Sequence, residues 1–235
     1  GPLPAAAAGF AKGDSPGENA LDTKARVHGA PWRGTITLRD SVFRGFGPKG
    51  APINNRAALN LKDQITGLIE RCTLHDNEIA YRIRGAADPK RGGVDGLLIK
   101  NTVLYRNQVH VRVEDNAKDV KLLHNTFGQL IDGNNVPVPV GSSQYVKNAY
   151  KGGGGGDEGP GWTSDNNLFL APSRPKLATG AGDALTGDTG TWVGFKAGDY
   201  RLARQLDAAQ GVGVKLDRLK KARSASAPDV GAHER

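Results

Sequence analysis

Short segments that alternate apolar with polar or small residues recur between about residues 17 and 129. Alternation with a period of two is typical of a strand with one buried face. Four of these segments align: NALDTK (19–24), AALNLK (57–62), IAYRIR (79–84) and VHVRVE (109–114). The last two belong to a longer match, DNEIAYRIRG (76–85) with RNQVHVRVED (106–115). The chain therefore repeats a unit that contains a strand.

A second set of segments interleaves with the first. Its members are ITLRDSVF (36–43), LIERCTL (68–74), LIKNTVL (98–104) and KLLHNTF (121–127). Each coil is therefore expected to contribute one strand of each set. Repeats of 20–50 residues built from short strands indicate a solenoid. No helical stretch of the kind a βαβ unit needs lies between the strands. The pattern predicts an all-β parallel β-helix. An antiparallel β-sandwich would explain the alternation, but not the aligned columns.

The alignment assigns every strand residue of the first set to the interior or to the outside. Two columns are expected inside: Leu21, Leu59, Tyr81, Val111, and Thr23, Leu61, Ile83, Val113. Three columns are expected outside: Asp22, Asn60, Arg82, Arg112; Lys24, Lys62, Arg84, Glu114; and Ala20, Ala58, Ala80, His110. Because neighbouring coils lie about 4.8 Å apart, these outer columns would form a continuous stripe. This stripe has basic side chains along its middle and small side chains along one edge, where a sugar chain would lie close to the backbone.

The net charge of the chain bears on the class of molecule that it could bind. The 32 Lys and Arg residues exceed the 24 Asp and Glu residues by 8, and the pI is about 9.6. This surplus favours polyanions, although it is equally consistent with plain solubility. The basic cluster within 215–223 has no interleaved aromatic residues, so no specific nucleic-acid motif is present. No apolar run approaches the roughly 20 residues of a membrane span.

The rest of the chain divides around the repeats. Residues 1–16 are interpreted as a tail or tag remnant with a linker, since Gly1-Pro2 is typical of a cleavage scar and the chain contains no Met. Residues 17–235 form the predicted β-helix domain, with a Gly-rich loop at 151–161 and a C-terminal cap at about 195–235. Coils are expected to be missing upstream, and the protein is expected to be a monomer or to associate with those coils. The single Cys72 allows no internal disulfide and is expected in the core.

The closing segments add a resemblance. DNNLFLAP (165–172), GFKAGDYRLA (194–203) and APDVGAHE (227–234) resemble the end of many secreted bacterial right-handed parallel β-helix proteins. The resemblance implies the C-terminal portion of such a fold, with an irregular closing segment. It also implies a secreted, cell-surface or periplasmic location and the handling of polysaccharides. The same ending occurs on lyases, on other hydrolytic enzymes and on proteins of no known activity.

Two strands are also similar to those of family-nine pectate lyases. GENALDTK (17–24) looks like the strand that holds Ca²⁺ in that family, which implies Glu18 and Asp22 as metal ligands. RAALNLKD (56–63) looks like the strand of the catalytic lysine. The sequence departs from the family because Asn60 aligns with that lysine, and Lys62 follows two residues later. Calcium needs six to eight oxygens, and this segment offers two carboxylates and Asn19.

Cleavage of an acidic polysaccharide by β-elimination requires a base and a cation that neutralises the uronate carboxyl group. The resemblance implies Lys or Arg as the base, and Ca²⁺ or another basic side chain as the neutralising cation. The predicted catalytic residues are Lys62, Arg82, Arg84 and His110, and the predicted substrate-binding residues are Lys24, Asn60 and Arg112.

The predicted function is a lyase for a uronate-containing polysaccharide. The alternative is a non-catalytic anionic-glycan-binding or structural module. A third hypothesis is that the arginines only form solubilising ion pairs, as the alignment of Arg84 with Glu114 allows. A glycoside hydrolase on this face is disfavoured. Asp22 and Glu114 would lie three coils, or about 14 Å, apart, which is more than such chemistry uses.

Overall fold

The computed structural model describes the repeats and parts of the closing region. The described residues are 17–24, 33–47, 56–86, 90, 92–140, 142–152, 159–171, 180, 182–186, 192–195, 199–203, 216–223 and 231–233. The tail expected at 1–16 and residues 153–158 of the Gly-rich loop lie outside these ranges.

The described elements are short strands and one short helix. In chain order they are β1 (Leu21–Asp22), β2 (Gly34–Arg39), β3 (Val42–Arg44), β4 (Ala57–Leu61), β5 (Ile65–Glu70), β6 (Thr73–His75), β7 (Ile79–Arg84), β8 (Asp95–Lys100), β9 (Val103–Tyr105), β10 (Val109–Glu114), β11 (Lys118–Leu123), β12 (Thr126–Phe127), α1 (Ser143–Ala149), β13 (Tyr150–Gly152), β14 (Thr163–Asp165), β15 (Leu168–Phe169), β16 (Ala184–Leu185), β17 (Trp192–Gly194) and β18 (Asp199–Leu202). No described helix is long and apolar enough to cross a membrane.

Three sheets take one strand each from successive passes of the chain. Sheet A has the order β1-β4-β7-β10-β13, sheet B the order β14-β11-β8-β5-β2, and sheet C the order β16-β15-β12-β9-β6-β3. Pairing within all three sheets is parallel. The β17–β18 pair is antiparallel. The fold is therefore all-β with parallel sheets, and the parallel pairing rules out the antiparallel sandwich for the repeats.

The prediction of two strands per coil is wrong, because each segment of the second set spans two sheets. In every case the chain leaves sheet B and enters sheet C at a corner that begins with one residue of left-handed backbone. These corner residues are Asp40, Arg71, Asn101 and His124, with φ angles of 50°, 54°, 54° and 52°. Each corner has two residues, of which the first is left-handed, and it leaves the hydrophobic pattern nearly unbroken, so the sequence predicts a single strand. Each passage of the chain contributes three strands, one to each sheet.

The predicted inner columns of sheet A are confirmed. Leu59 pairs with Tyr81, and Tyr81 with Val111, and all three are buried. Cys72 is also buried in this core, as predicted. On sheet C, the rings of Phe127 and Phe169 stack with centroids 4.5 Å apart and planes 7° from parallel. Stacking of like residues on adjacent strands thus fills the interior with few aromatic residues.

Buried asparagines stack at two corners. The Asn77 amide donates to Asn107 Oδ1 at 2.9 Å, and the Asn125 amide donates to Asn167 Oδ1 at 3.0 Å. The same side chains serve the backbone, since Asn125 Oδ1 accepts the N–H of Thr102 at 3.0 Å. These bonds supply partners to corner peptide groups that no sheet reaches, and a buried peptide group without a partner costs about 1–3 kcal/mol.

Candidate functional site

The outward columns of sheet A hold most of the predicted site residues. Asp22 pairs in register with Asn60, Asn60 with Arg82, and Arg82 with Arg112. Arg84 pairs with Glu114 on the next strand. We call this surface the polar face of sheet A: Asp22, Lys24, Asn60, Lys62, Arg82, Arg84, Arg112 and Glu114.

Three guanidinium groups of the polar face converge on Glu114. Its carboxylate lies 2.6 Å from Arg112 Nε, 3.0 Å from Arg82 Nη2 and 3.1 Å from Arg84 Nε. Arg84 also reaches Asp115 Oδ2 at 3.3 Å. The Glu114 side chain is only 5% exposed. Among the described residues, these three arginines share the two carboxylates of Glu114 and Asp115.

Asp22 organises the other end of the polar face. Lys62 Nζ lies 3.0 Å and Lys24 Nζ 3.1 Å from its carboxylate oxygens. The Asn60 amide donates to the same carboxylate at 3.2 Å. A protonated amine held by a carboxylate acts as a general base only after it gives up its proton and that ion pair. Lys62 is therefore placed as a binding group rather than as a ready base.

The polar face is less open than the sequence predicted. Lys24 is 68% and Arg84 31% exposed at the carboxyl ends of their strands, whereas Lys62 and Arg82 are each only 17% exposed. The expectation of an uninterrupted cationic ridge is thus corrected: ion pairs neutralise much of the charge, and the accessible part is the edge formed by Lys24 and Arg84. The aligned columns place Arg84 beside Glu114, and these two side chains form an ion pair at 3.1 Å. The alignment does not show that Arg82 and Arg112 reach the same carboxylate.

The third outward column is corrected as well. Ala58 and Ala80 pack in the main core with Leu59 and Tyr81, while the residues before them, at 57, 79 and 109, form a separate apolar cluster. The alternation therefore breaks at the start of each strand. Two successive side chains, such as those of Ala58 and Leu59, both point into the main core. Of the predicted column Ala20, Ala58, Ala80 and His110, Ala20 alone is exposed, so the column does not form a continuous small-residue edge.

His110 belongs to this inward column, so the structure does not place it on the polar face. Its ring is fully buried, Nε2 donates to the Gly128 carbonyl oxygen at 2.9 Å, and Nδ1 accepts from Asn107 Nδ2 at 3.3 Å. Burial lowers the pKa of His110 to about 4. This neutral, enclosed imidazole is a packing group, and the expectation of a surface acid or base at His110 is corrected.

The predicted Ca²⁺ ligands do not form a cation site. Glu18 is exposed, and the carboxylate of Asp22 is occupied by two ammonium groups and an amide. In the described part of the chain, no group of three or more His, Cys, Asp or Glu side chains is placed to hold a metal ion. The donor set therefore does not fit calcium.

Comparisons with protein-family models, with curated proteins and with solved structures find no match for this chain. The resemblance to β-helix proteins and to family-nine pectate lyases therefore stays a prediction, and the geometry carries the functional argument.

The sequence did not reveal a second polar site, on the outside of sheet C. A pocket of about 360 Å³ lies there between β6, β9 and closing segments of the chain. Its polar lining includes Tyr105, Asp199, Arg218 and His233. Asp199 lies in the closing segment GFKAGDYRLA and His233 in the closing segment APDVGAHE. These two segments were the sequence signal that pointed to this region. Only tertiary structure brings these distant residues together.

Proposed function

We propose that this protein is a right-handed parallel β-helix that binds an acidic polysaccharide through the polar face of sheet A, outside the cell or in the periplasm. The repeated passage of the chain from sheet A to sheet B to sheet C, five times in the same order, supports the β-helix. Binding without cleavage is the function that the geometry favours most.

The convergence of three arginines on Glu114 carries the proposal. Guanidinium groups form paired hydrogen bonds with carboxylates, which are the charged groups of uronate polymers. Glu114 holds these three groups side by side on two adjacent strands. At the exposed edge, Arg84 and Lys24 are the groups that a polymer would reach first.

β-Elimination by a lyase is the second candidate. Its supporting observation is that β4 and β7, adjacent strands, carry Asn60 paired with Arg82, with Lys62 following β4 on the same face. An amine and a guanidinium of the types that base and neutraliser require are therefore neighbours. Against this candidate stands the ion pair between Lys62 and Asp22 at 3.0 Å.

Retention on immobilised pectate tests the binding proposal. The wild-type protein should be retained at low salt and elute as salt screens the charges. The double variant K24Q/R84Q, which removes the two accessible cations of the face, should elute at clearly lower salt. The matched control R33Q/R39Q removes two ion-paired arginines that lie off the polar face. Elution of both double variants at the same salt would overturn the proposal, provided that their thermal unfolding midpoints show folded protein.

Ultraviolet absorbance separates binding from cleavage. Incubation with pectate, alginate and glycosaminoglycans, with and without Ca²⁺, would produce unsaturated sugar ends if the protein is a lyase. We expect retention without new absorbance. A rise in absorbance that K62Q abolishes would instead establish the second candidate.

A further inference from the structure

The pocket outside sheet C combines apolar and polar walls. Tyr105, Tyr200, Val103 and Leu219 contribute ring and aliphatic surface, and its volume of about 360 Å³ falls in the range of small-ligand sites. The ring of Tyr105 stacks on the ring of His75, with the centroids 4.8 Å apart and the planes 5° from parallel. The pocket wall is thus built on a rigid strand.

Arg218 gives the pocket its charge. Its two terminal nitrogens donate to neutral oxygens, the Cys72 carbonyl and the Thr73 hydroxyl. Among the described residues, no carboxylate forms an ion pair with it. The other arginine in the lining, Arg201, is already neutralised by Asp199, whose carboxylate lies 2.6 Å from its Nη2. A half-buried guanidinium that no described carboxylate contacts favours an anionic ligand, because charge taken out of water is costly unless it is paired.

Further polar atoms in the lining suit hydroxyl groups. His233 Nδ1 is buried and has no hydrogen-bond partner in the described part of the chain. Burial lowers the pKa of His233 to about 4, so the ring is neutral at pH 7. Tyr105 and Asp199 also line the pocket. A ligand with several hydroxyl groups would match these donors and acceptors.

We infer that this pocket binds a single acidic sugar unit, with the carboxylate on Arg218 and the hydroxyl groups on His233, Tyr105 and Asp199. Free uronic acid and the end residue of a uronate chain share this chemistry. The inference takes its ligand class from the proposed function, but it uses none of the residues of the polar face.

Calorimetric titration with galacturonate, galactose and acetate tests the pocket. Galacturonate should bind at least tenfold more tightly than galactose, which lacks the carboxylate, and than acetate, which lacks the ring. R218Q should weaken galacturonate binding at least tenfold, and R218K should recover part of it. A short uronate oligomer that binds more tightly than galacturonate would identify the chain end as the source.

A blocking variant keeps the test decisive if R218Q does not fold. Leu219 lines the pocket and is 61% exposed, so L219W should fill the pocket and weaken galacturonate binding at least tenfold. The matched control is L216W, since Leu216 is 47% exposed and does not line the pocket.

Equal binding of galacturonate by L219W and L216W, or equal affinities for galacturonate and galactose, would overturn the inference. Retention on pectate that persists in L219W would show that the polar face acts separately. Galacturonate binding without any pectate retention would contradict the proposed function of the polar face, but it would support the inference about the pocket.

Discussion

The ring of Tyr200 occupies the space beside Gly128 that any side chain there would need. A Cβ atom on Gly128 would lie 2.3 Å from Tyr200 Cε1. Tyr200 also packs against Tyr105, with ring centroids 5.2 Å apart, and its hydroxyl oxygen accepts the Gln129 N–H at 3.1 Å. A closing segment of the chain is thereby fixed to the outside of sheet C, and a glycine makes the contact possible.

Substitution of Gly128 by alanine should displace Tyr200 and lower the free energy of unfolding by about 1–3 kcal/mol, the usual cost of overpacking. The matched control is G133A, because a Cβ on Gly133 would meet no atom within 4 Å. That change should stay within about 0.5 kcal/mol of wild type. Urea denaturation compares the two variants. A G128A protein as stable as G133A would contradict the contact.

Removal of the Asn125 side chain should be more damaging. N125A leaves the buried N–H of Thr102 without its acceptor and takes away the donor to the Ile99 carbonyl at 3.0 Å. Because each unsatisfied buried group costs about 1–3 kcal/mol, we expect a loss of about 2–4 kcal/mol in urea denaturation. Asn134 is exposed, so N134A is the control and should be nearly neutral. Comparable stabilities of the two variants would refute the role of the asparagine stack.

His110 should make stability depend on pH. Its pKa is about 4 in the folded protein and near 6.5 when exposed, so the unfolded chain binds more protons between these values. This contribution is complete above pH 6.5 and is lost as the pH falls to 4, at up to about 1.4 kcal/mol per pH unit. His233 acts in the same direction. H110Q should therefore flatten the slope between pH 6.5 and 4.5 without abolishing it. An unchanged slope in denaturation measured across this range would count against the buried neutral imidazole.

Replacement of Glu114 by glutamine should strengthen anion binding while it weakens the fold. The change leaves three arginines without their shared carboxylate, so E114Q should elute from pectate at higher salt than wild type. It should also lose about 3–5 kcal/mol of stability, the cost of breaking a buried ion pair. D95N alters the net charge equally but disrupts only the Arg33 pair, with nitrogen and oxygen 2.8 Å apart. Should both variants elute together, net charge alone would explain retention, and the polar face would not be the site.

Alternation and repetition along the chain predicted the strands of sheet A, their stacking and their polar face. Leu59, Tyr81 and Val111 align inside, and Asn60, Arg82 and Arg112 align in the adjacent column, because alternation along a strand and repetition between coils are local properties. The same pattern concealed the corners: a single left-handed residue such as Arg71 or Asn101 changes the sheet without changing the hydrophobic pattern.

The burial and the pairing of the candidate site residues depended on the tertiary structure. His110 turned inward because two successive side chains enter the core where the strand begins, which alternation does not reveal. Glu114 neutralised arginines of its own and the neighbouring strand because ion pairs depend on side-chain reach. The pocket at Arg218 exists only because segments far apart in the chain pack on sheet C. Such contacts join residues that are close in space but far apart in the sequence, so the spacing of residues along the chain does not reveal them.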